Sequence, residues 1–447
     1  MKKLFGTDGM RGEAGVFPLD EKTIEIVGSS LAKQFTEKLG RSPRFVVGRD
    51  TRESGEWIEK AFCSGAISQN SSCESAGIIT TPGVAFLAKH FKFDAGIVIS
   101  ASHNPFHDNG IKIFLPDGKK LDEATEKAIE RDIDGGRLSA AGSRSSVDIS
   151  KAAQFETAYS DYLKNGFADL KLENLKLVID CANGAASQLA PQLFESFGAN
   201  VVVINCAPDG KNINKDCGSL HLESLQANVL AEKADFGVAF DGDADRALFV
   251  DELGNLVDGD ATLWVMANLL QSHGQLKNNV VVATVMSNIG LEIALKSKNI
   301  ELLRTSVGDK YVLEQLLKTD AAVGGEQSGH IIFPNKSLVG DGMMTALYLL
   351  EAMFERQKTL SELTEGFARY PQILVNVKVC EKRPFEDVAE IVEASEKIES
   401  ELDGKGRLLL RYSGTENLAR VMIEGENQTE IEAQANRLAE IIKTSLS

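Results

Sequence analysis

The chain has 447 residues, 43% of them hydrophobic and 25% charged, which is the composition of an ordinary globular protein. This length exceeds what one hydrophobic core supports and indicates three or four domains. The net charge of −17 argues against a nucleic-acid-binding surface, which requires a basic patch. No run reaches the roughly 18 apolar residues of a membrane-spanning helix, and the start lacks the apolar core of a secretory signal. We therefore expect a cytoplasmic protein with no nucleic-acid or membrane partner.

Short apolar runs alternate with amphipathic helical patterns over most of the chain. The apolar runs predict strands at 45–50, 95–100, 176–184, 199–206, 235–243, 279–285 and 320–326. The clearest helical patterns lie at 21–40 and 341–357. Continuous apolar runs favour sheets that are covered on both faces, and the alternation of strands and helices predicts an α/β fold.

Two stretches suggest domain boundaries. Residues 134–148 are small and polar and resemble a linker. From residue 370 the pattern changes to an alternating strand, a helix through about residue 400, strands at 407–414 and 418–425, and a final helix. This last stretch predicts a separate α+β domain.

The stretch ISASHNP (99–105) places Ser102 directly after an apolar run. Strands of α/β sheets present functional residues in the loops at their carboxyl ends, so Ser102 is a candidate nucleophile or carrier. We interpret His103 as a neighbour that positions the serine.

The stretch DGDADR (241–246) places three carboxylates two residues apart after another apolar run. Asp241, Asp243 and Asp245 would repel one another unless a cation lay among them, and oxygen ligands favour a hard divalent ion. An acidic surface turn is the alternative, and the glycine and glutamate spacing of a calcium-binding EF-hand loop is missing. The adjacent Arg246 favours a site where metal and phosphate meet.

Six other stretches offer groups for a phosphorylated sugar. SGTENLAR (413–420), with Arg411 before it, combines a turn with two arginines and resembles a phosphate cradle. Glu326 and Ser328 in GGEQSGH suit sugar hydroxyls, which need donors and acceptors. Further positive candidates are Arg11 in FGTDGMRG, Arg49 and Arg52 in GRDTRESG, Lys112 in NGIKIF and Lys310 in VGDKYV. For GRDTR, an ion pair with Asp50 is as good an interpretation as ligand contact.

The ordered set FGTDGMRG, GRDTRESG, ISASHNPFHDNGIKIF, DGDADR, GGEQSGH and RYSGTENLARVM resembles the α-D-phosphohexomutase family, from residue 5 to residue 422. The resemblance implies three related mixed α/β domains and a smaller C-terminal α+β domain around a central cleft. The corresponding ranges are 1–150 with the serine loop, 151–255 with the metal loop, 256–369 with the sugar loop, and 370–447 with the phosphate loop.

The resemblance also implies roles for individual residues. Ser102 would carry a phosphoryl group, with Lys112 and Arg11 as further catalytic residues and Lys112 or a nearby carboxylate as the base. One Mg²⁺ per subunit would be held by Ser102, Asp241, Asp243 and Asp245. The substrate would be bound by Arg246, Lys310, Glu326, Ser328, Arg411, Ser413, Gly414, Thr415 and Arg420.

The implied activity is a phosphoryl exchange between O6 and O1 of a hexose phosphate through a 1,6-bisphosphate. FGTDGMRGEAG and SASHNPFHDNGIK are closest to the branch of the family that acts on glucosamine phosphate. A glucosamine or glucose 1,6-bisphosphate would act as primer, and a homodimer is implied. The alternatives are a glucose or mannose phosphate substrate, a phosphatase, and a non-catalytic phosphosugar-binding protein, against which the intact serine and aspartate triplet argue.

Four positions depart from the family pattern. Ala419 precedes Arg420 where a bulkier aliphatic residue is common. Asn417 stands where proline is usual in the cradle, which removes a rigid residue from the loop. Lys310 stands where arginine is usual, which removes a bidentate fork. Ala244 stands in the metal loop where glycine is frequent.

Overall fold

The computed structural model describes residues 3–6, 8–136, 147–413 and 417–446. The strands are β1 (Phe5–Gly6), β2 (Gly9–Glu13), β3 (Arg44–Arg49), β4 (Ser72–Ile78), β5 (Ala95–Ile99), β6 (Asp108–Phe114), β7 (Lys176–Asp180), β8 (Asn200–Ile204), β9 (Phe236–Phe240), β10 (Ala247–Asp251), β11 (Leu256–Val257), β12 (Val280–Thr284), β13 (Glu301–Thr305), β14 (Gly324–Gly325), β15 (Ile331–Ile332), β16 (Gln372–Lys378), β17 (Arg407–Tyr412) and β18 (Leu418–Glu424). The helices are α1 (Glu21–Leu39), α2 (Gly55–Ile67), α3 (Thr81–His90), α4 (Glu123–Gly135), α5 (Ala152–Gly166), α6 (Ala186–Glu195), α7 (Glu223–Glu232), α8 (Gly259–Ser272), α9 (Ile289–Ser297), α10 (Asp309–Thr319), α11 (Gly342–Arg356), α12 (Leu360–Thr364), α13 (Ala389–Leu402) and α14 (Gln428–Leu446).

Four sheets organise these strands, in the orders β1-β2-β6-β5-β3-β4, β11-β10-β9-β7-β8, β13-β12-β14-β15 and β16-β18-β17. In the first sheet β3 pairs in parallel with β4 and β5, whereas β6 is antiparallel to β5 and β2. The second sheet follows the same plan, with β7 parallel to β8 and β9 and with β9 antiparallel to β10. Both sheets therefore mix parallel strands with an antiparallel return strand.

The return strands determine where the site lies. Every residue of β5 and β9 is buried, as expected for continuous apolar strands in the middle of a sheet. Each strand leads into a polar loop and then into its antiparallel neighbour, β6 or β10. The serine and metal loops are these two connections.

The chain divides into two compact units that are discontinuous in sequence. The first contains residues 1–286 and 302–365 and holds nearly all of the first three sheets. The second contains residues 287–301 and 366–447, and its three-stranded sheet is fully antiparallel. Its buried core is formed between that sheet, α13 and α14 by residues such as Ile398, Val421 and Leu438.

Local sequence explains the ends of the best predicted helix. Asp20 caps α1 by accepting a hydrogen bond from the Thr23 N–H at 3.0 Å, and Gly40 ends the helix with φ of 67°.

The strand predicted at 320–326 is reduced to the two residues of β14, which pairs with β12 and β15 over only two positions. The predicted linker lies mostly outside the described residues.

None of the described helices is long and apolar enough to cross a lipid bilayer. The mixed sheets and their helices agree with the predicted α/β class.

Candidate active site

Ser102 lies at the start of the connection from β5 to β6 and is 1% exposed. Its Oγ is 2.5 Å from Oδ2 of Asp241 and 3.3 Å from Nδ1 of His103. Its φ is +52°, in the left-handed region that residues other than glycine rarely adopt. Strained backbone of this kind persists where the surroundings fix it, and it is common at functional sites.

Long-range contacts fix the serine loop. The Ser102 carbonyl accepts hydrogen bonds from Nη2 of Arg52 at 3.1 Å and from Nδ2 of Asn214 at 2.9 Å. Gly242 also lies against this carbonyl, and a Cβ at that position would meet it at 2.5 Å. A larger residue at 242 would therefore push the metal loop away from the serine.

The structure contains the ion pair with Asp50 that was one of the two interpretations of GRDTR. Arg52 is 1% exposed and pairs with the fully buried Asp50. Its second guanidinium nitrogen also bonds to the carbonyl of Asn104. Arg49 pairs with Glu59 at 3.2 Å. Arg52 thus positions the serine loop, a role the sequence alone did not predict.

The metal loop brings its three carboxylates together as predicted. One oxygen from each of Asp241, Asp243 and Asp245 lies within 4.8 Å of the others, and all three residues are buried. Burial raises the pKa of Asp241 well above its usual value, and the charges of Asp245 and Asp243 raise it further. Ala244 has φ of +54°, which explains why glycine would suit this position.

Lys112 lies on β6, beneath both loops, and is 1% exposed. Its Nζ is 2.8 Å from Asp243, 3.2 Å from Asp245 and 3.1 Å from Asp8. Burial alone would lower the pKa of Lys112, but these carboxylates outweigh burial and raise it well above its usual value. The lysine is therefore a fixed cation within an acidic cluster.

The donor set fits a divalent cation. Oδ1 of Asp243 and Oδ1 of Asp245 are buried and accept no hydrogen bond from any described residue. Unsatisfied buried carboxylate oxygens are costly unless a cation binds them. Together with an oxygen of Asp241 and the adjacent Ser102 Oγ, they offer the hard ligands that Mg²⁺ prefers.

A cavity of about 730 Å³ lies beside the metal loop in the first unit. Of the predicted site residues, it is lined by Arg11, Asp245, Arg246, Glu326 and Ser328. Ser102 and Lys112 do not line it, but Asp245 and Arg246 connect them to it through contacts with Lys112 and His103. Burial, together with the charges of Arg246 and Arg11, lowers the pKa of His103 to about 4.

Glu326 and Ser328 lie in the turn between β14 and β15. Oε1 of Glu326 accepts a hydrogen bond from the N–H of Gly308 at 3.1 Å, which leaves the other oxygen for a ligand. His330 ends this turn, is 3% exposed, and lies 3.8 Å from Oδ1 of Asp245. The sugar loop therefore contacts the metal loop directly.

A partly buried ion network was not predicted. Asp8 bonds to Arg11 at 2.5 Å and to Lys120 at 2.7 Å, in addition to Lys112. Lys120 also pairs with Asp309 at 2.5 Å, beside Gly308. Asp8 and Asp309 both line the large cavity. Arg11 lies in the same motif as Asp8, but Lys112 and Lys120 are more than a hundred residues away, so local sequence could not identify the network.

Lys310 is not part of this wall. The Lys310 side chain is 41% exposed. Its Nζ lies 4.0 Å from Oε1 of Glu123, the nearest described carboxylate. It lines a separate cavity of about 200 Å³. The preceding residues Gly308 and Asp309 face the large cavity instead.

The predicted phosphate cradle lies in the second unit. Arg411 on β17 is paired in register with Arg420 on β18, so two guanidinium groups stand side by side. Burial and the charge of Arg420 lower the pKa of Arg411. The carbonyl of Ser413 accepts a hydrogen bond from Nζ of Lys382 at 2.6 Å, which adds a cation the sequence analysis did not select. Gly414 and Thr415 lie outside the described residues.

Family models cover almost the whole chain. The models describe phosphoglucomutase/phosphomannomutase: alpha/beta/alpha domain I matches residues 2–139, domain II residues 157–254, domain III residues 258–370, and the C-terminal domain residues 374–441. These matches agree with the predicted fold class of three α/β domains and one smaller C-terminal domain.

Curated relatives match over the full length. The chain is 48% identical over 460 residues to phosphoglucosamine mutase of Caldicellulosiruptor saccharolyticus, with 100% of both chains covered. It is 46% identical over 445 residues to phosphoglucosamine mutase of Solibacter usitatus, covering 100% of this chain and 99% of that protein.

Solved structures share the fold at lower identity. A phosphoglucomutase/phosphomannomutase family protein from Burkholderia thailandensis has a TM-score of 0.82 at 24% identity, covering 100% of this chain and 99% of that one. An N-acetylphosphoglucosamine mutase from Aspergillus fumigatus, in complex with GlcNAc-6P and magnesium, has a TM-score of 0.66 at 19% identity, covering 99% and 96%. The chain therefore belongs to the phosphoglucomutase/phosphomannomutase family, the α-D-phosphohexomutases.

Proposed function

We propose that the protein interconverts glucosamine 6-phosphate and glucosamine 1-phosphate, with Ser102 as the phosphoryl carrier. The observation that carries this proposal is the contact of 2.5 Å between Ser102 Oγ and Asp241 within a buried carboxylate triplet. A protein that only bound phosphosugars would need neither group. The names and the 46–48% identity of the curated relatives support the choice of glucosamine phosphate.

The reaction consists of two phosphoryl transfers. In the first, the bond between Ser102 Oγ and phosphorus breaks while O1 of glucosamine 6-phosphate bonds to phosphorus. The proton of the O1 hydroxyl passes to the departing Ser102 Oγ through a base, for which Lys112 and a nearby carboxylate are the candidates. The resulting 1,6-bisphosphate turns around. In the second, the bond between O6 and phosphorus breaks while Ser102 Oγ bonds to phosphorus, the serine proton passes to O6 through the base, and glucosamine 1-phosphate is released.

The residues of the first unit would act mainly by position and charge, because phosphoryl transfer requires little covalent chemistry from the protein. Arg11 and Arg246, on the cavity wall, would contact the reacting phosphoryl group. Lys112 would hold the carboxylates in place and balance their charge. Glu326 and Ser328 would bind sugar hydroxyls.

Asp241, Asp243, Asp245 and Ser102 would hold a divalent cation, for which we propose Mg²⁺. The bound ion would draw negative charge from the phosphoryl oxygens. The roles of Lys310 and of Arg411, Ser413, Gly414, Thr415 and Arg420 in substrate binding stay predictions, as do the primer, the domain boundaries, the homodimer and the cytoplasmic location.

The test is a mutase assay with Mg²⁺ and a trace of glucose 1,6-bisphosphate. Glucosamine, glucose and mannose phosphates are compared by kcat/KM, and we expect the highest value for glucosamine phosphate. A higher kcat/KM for glucose or mannose phosphate would show that glucosamine phosphate is not the preferred substrate. Steady release of inorganic phosphate in place of isomerisation would favour a phosphatase.

A second measurement tests the carrier. After incubation with the bisphosphate, mass spectrometry should find one phosphoryl group on Ser102. Ser102→Ala should lose this label and lower kcat at least about 10³-fold. Ser395 is a half-buried serine in α13, and Ser395→Ala is the matched control. This variant should keep both the phosphoryl label on Ser102 and the kcat of the wild type.

A further inference from the structure

A second cavity, of about 310 Å³, lies elsewhere in the first unit. Its wall is formed by α3, α5 and residues 116–118 and 334–341, and it shares no lining residue with the catalytic cavity. This volume is at the lower end of the range for small-molecule sites. The proposed mutase reaction makes no use of it.

One side of this cavity is aromatic. The rings of Phe86 and Tyr162 are stacked, with centroids 4.6 Å apart and planes inclined by 23°. His90 also stacks on Phe86, at 5.0 Å. The Tyr162 hydroxyl donates a hydrogen bond to the carbonyl of Lys336 at 3.0 Å, which fixes the orientation of its ring. Rigid ring surfaces of this kind favour a planar ligand.

The same cavity also carries two lysine side chains. Lys89 and Lys336 both line it and are exposed, and neither forms an ion pair with a described residue, although Lys336 interacts at longer range with Glu351. Asp117 is 3.5 Å from Lys119. In a chain with a net charge of −17, two unpaired lysines beside stacked rings are suited to an anion.

The buried carboxylate in the wall is already engaged. Asp341 is 2% exposed and accepts hydrogen bonds from the Tyr159 hydroxyl at 2.8 Å and from the Met344 N–H at 3.0 Å. It thereby caps the N-terminus of α11. Its charge faces the helix end, so it does not cancel the two lysines.

The innermost part of the wall is attached to the metal loop. Thr81, next to Pro82 of the wall, donates its N–H to the Asp243 carbonyl at 3.0 Å and its hydroxyl to Asp243 Oδ2 at 2.5 Å. Gly342, next to Asp341, donates its N–H to the Ala244 carbonyl at 3.0 Å. Helix α3, which forms part of the wall, and helix α11, which directly follows Asp341 of the wall, therefore both begin on the loop that carries the aspartate triplet.

We propose that this cavity binds a small planar aromatic anion and that its occupancy is transmitted to the metal loop. The ligand's ring would contact Phe86 and Tyr162, and its anionic group would face Lys89 and Lys336. Binding between α3 and residues 334–341 would shift the starts of α3 and α11, and with them Asp243 and Ala244. The binding part of this inference does not depend on the proposed mutase reaction.

Calorimetric titration tests binding. The probes are uridine 5′-monophosphate and 4-hydroxybenzoate, which represent a nucleotide and an aromatic carboxylate. Uridine and inorganic phosphate are the controls, because uridine has the ring without the anionic group and inorganic phosphate has the anionic group without a ring. We expect one of the first two probes to bind at least about tenfold more tightly than either half, and the tighter one identifies the source of the anion. If neither uridine 5′-monophosphate nor 4-hydroxybenzoate binds, the proposed binding site is wrong.

Variants locate the bound probe. Lys89→Gln combined with Lys336→Gln should weaken its binding about tenfold. Lys33→Gln combined with Lys318→Gln, two exposed helical lysines away from the cavity, makes the same charge change and should have no effect. Equal affinities for the two double variants would overturn the assignment. So would displacement of the probe by saturating glucosamine 6-phosphate, because that result would place it in the catalytic cavity.

Kinetics test the transmission. At saturating probe, we expect kcat of the mutase reaction to change by at least about twofold with a smaller change in KM. The change should disappear in the Lys89→Gln/Lys336→Gln variant, which keeps the basal rate. Unchanged kcat in a protein that binds the probe would overturn the transmission. A protein without any mutase activity would overturn the proposed function instead, while the titrations would still decide the binding site.

Discussion

The buried centre around Ser102 and the aspartate triplet in the first unit differs from the arginine hairpin of the second unit in how its charged groups are held. Ser102, Lys112 and Asp241 are 0–1% exposed, and each takes part in more than one hydrogen bond or ion pair. Arg411 and Arg420 are half-buried and stand beside each other on neighbouring strands. Groups that take part in bond breaking gain from fixed positions away from water, whereas groups that capture a phosphate must remain accessible to it. The two regions should therefore respond differently to substitution.

The largest effect should come from Lys112→Met. Asp8, Asp243 and Asp245 would lose the cation that balances them, and breaking a buried ion pair costs about 3–5 kcal/mol of folding free energy. Turnover should fall at least about 10²- to 10³-fold, because a fixed charge near the reacting group is lost. Steady-state kinetics and denaturant unfolding measure the two effects.

Lys119→Met is the matched control. Its side chain is 55% exposed and its ion pair with Asp117 is 3.5 Å long. Surface pairs contribute about 0–1 kcal/mol, so stability and rate should hardly change. A Lys112→Met enzyme with kcat within threefold of the wild type would contradict the contrast between the two regions.

Arg420→Gln tests the accessible region. Loss of one charge-assisted phosphate contact should raise KM about 10- to 100-fold, while kcat and the melting temperature change little. Arg437→Gln in α14, whose guanidinium is 3.0 Å from Glu401, serves as control and should leave KM unchanged. A fall in kcat at constant KM would show that this arginine takes part in the transition state in the same way as the buried centre.

Arg52→Lys tests whether position alone matters in the buried region. Lysine keeps the charge beside Asp50 but loses the fork that reaches the carbonyls of Ser102 and Asn104. We expect kcat to fall about tenfold and the free energy of unfolding to fall by about 1–3 kcal/mol. Arg49 has a single side-chain hydrogen bond, to Glu59, so Arg49→Lys should lower neither kcat nor the free energy of unfolding. If the two variants had equal kcat values, Arg52 would not be a residue that positions Ser102.

The smallest effect should come from Ala244→Gly. Glycine adopts the φ of +54° found here without steric strain, so the variant should gain about 0.5–1 kcal/mol of stability. Ala153→Gly in the helix α5 should instead lose about 1 kcal/mol. Thermal unfolding of both variants measures the difference, and a destabilised Ala244→Gly would mean that the Cβ contributes more by packing than it costs in strain.

Much of the fold and centre followed from sequence because its signals are local. The apolar runs before Ser102 and before Asp241 identified strands, and each strand placed its polar loop at the carboxyl end of a sheet. Asn214 and Thr81 could not be identified in this way, because each bonds to a loop more than a hundred residues away in the chain. The same reason explains Arg52, whose local ion pair was predicted but whose contact with the Ser102 carbonyl was not. Lys310 also lies in a local motif, but its side chain lines the smaller cavity and not the larger one, so its part in substrate binding stays a prediction.

The discontinuous second unit has a consequence for how the protein is made. Residues 287–301 belong to this unit, and their backbone is held by Glu424 and Arg407: Glu424 accepts from the Ile289 N–H at 3.1 Å, and Arg407 donates to the Ser287 carbonyl at 3.0 Å. During synthesis, this segment leaves the ribosome long before either partner has been translated. It must therefore remain unpaired while the rest of the first unit emerges. A fragment ending at residue 365 would release the same segment permanently, so neither unit can be expressed as one uninterrupted stretch of the sequence.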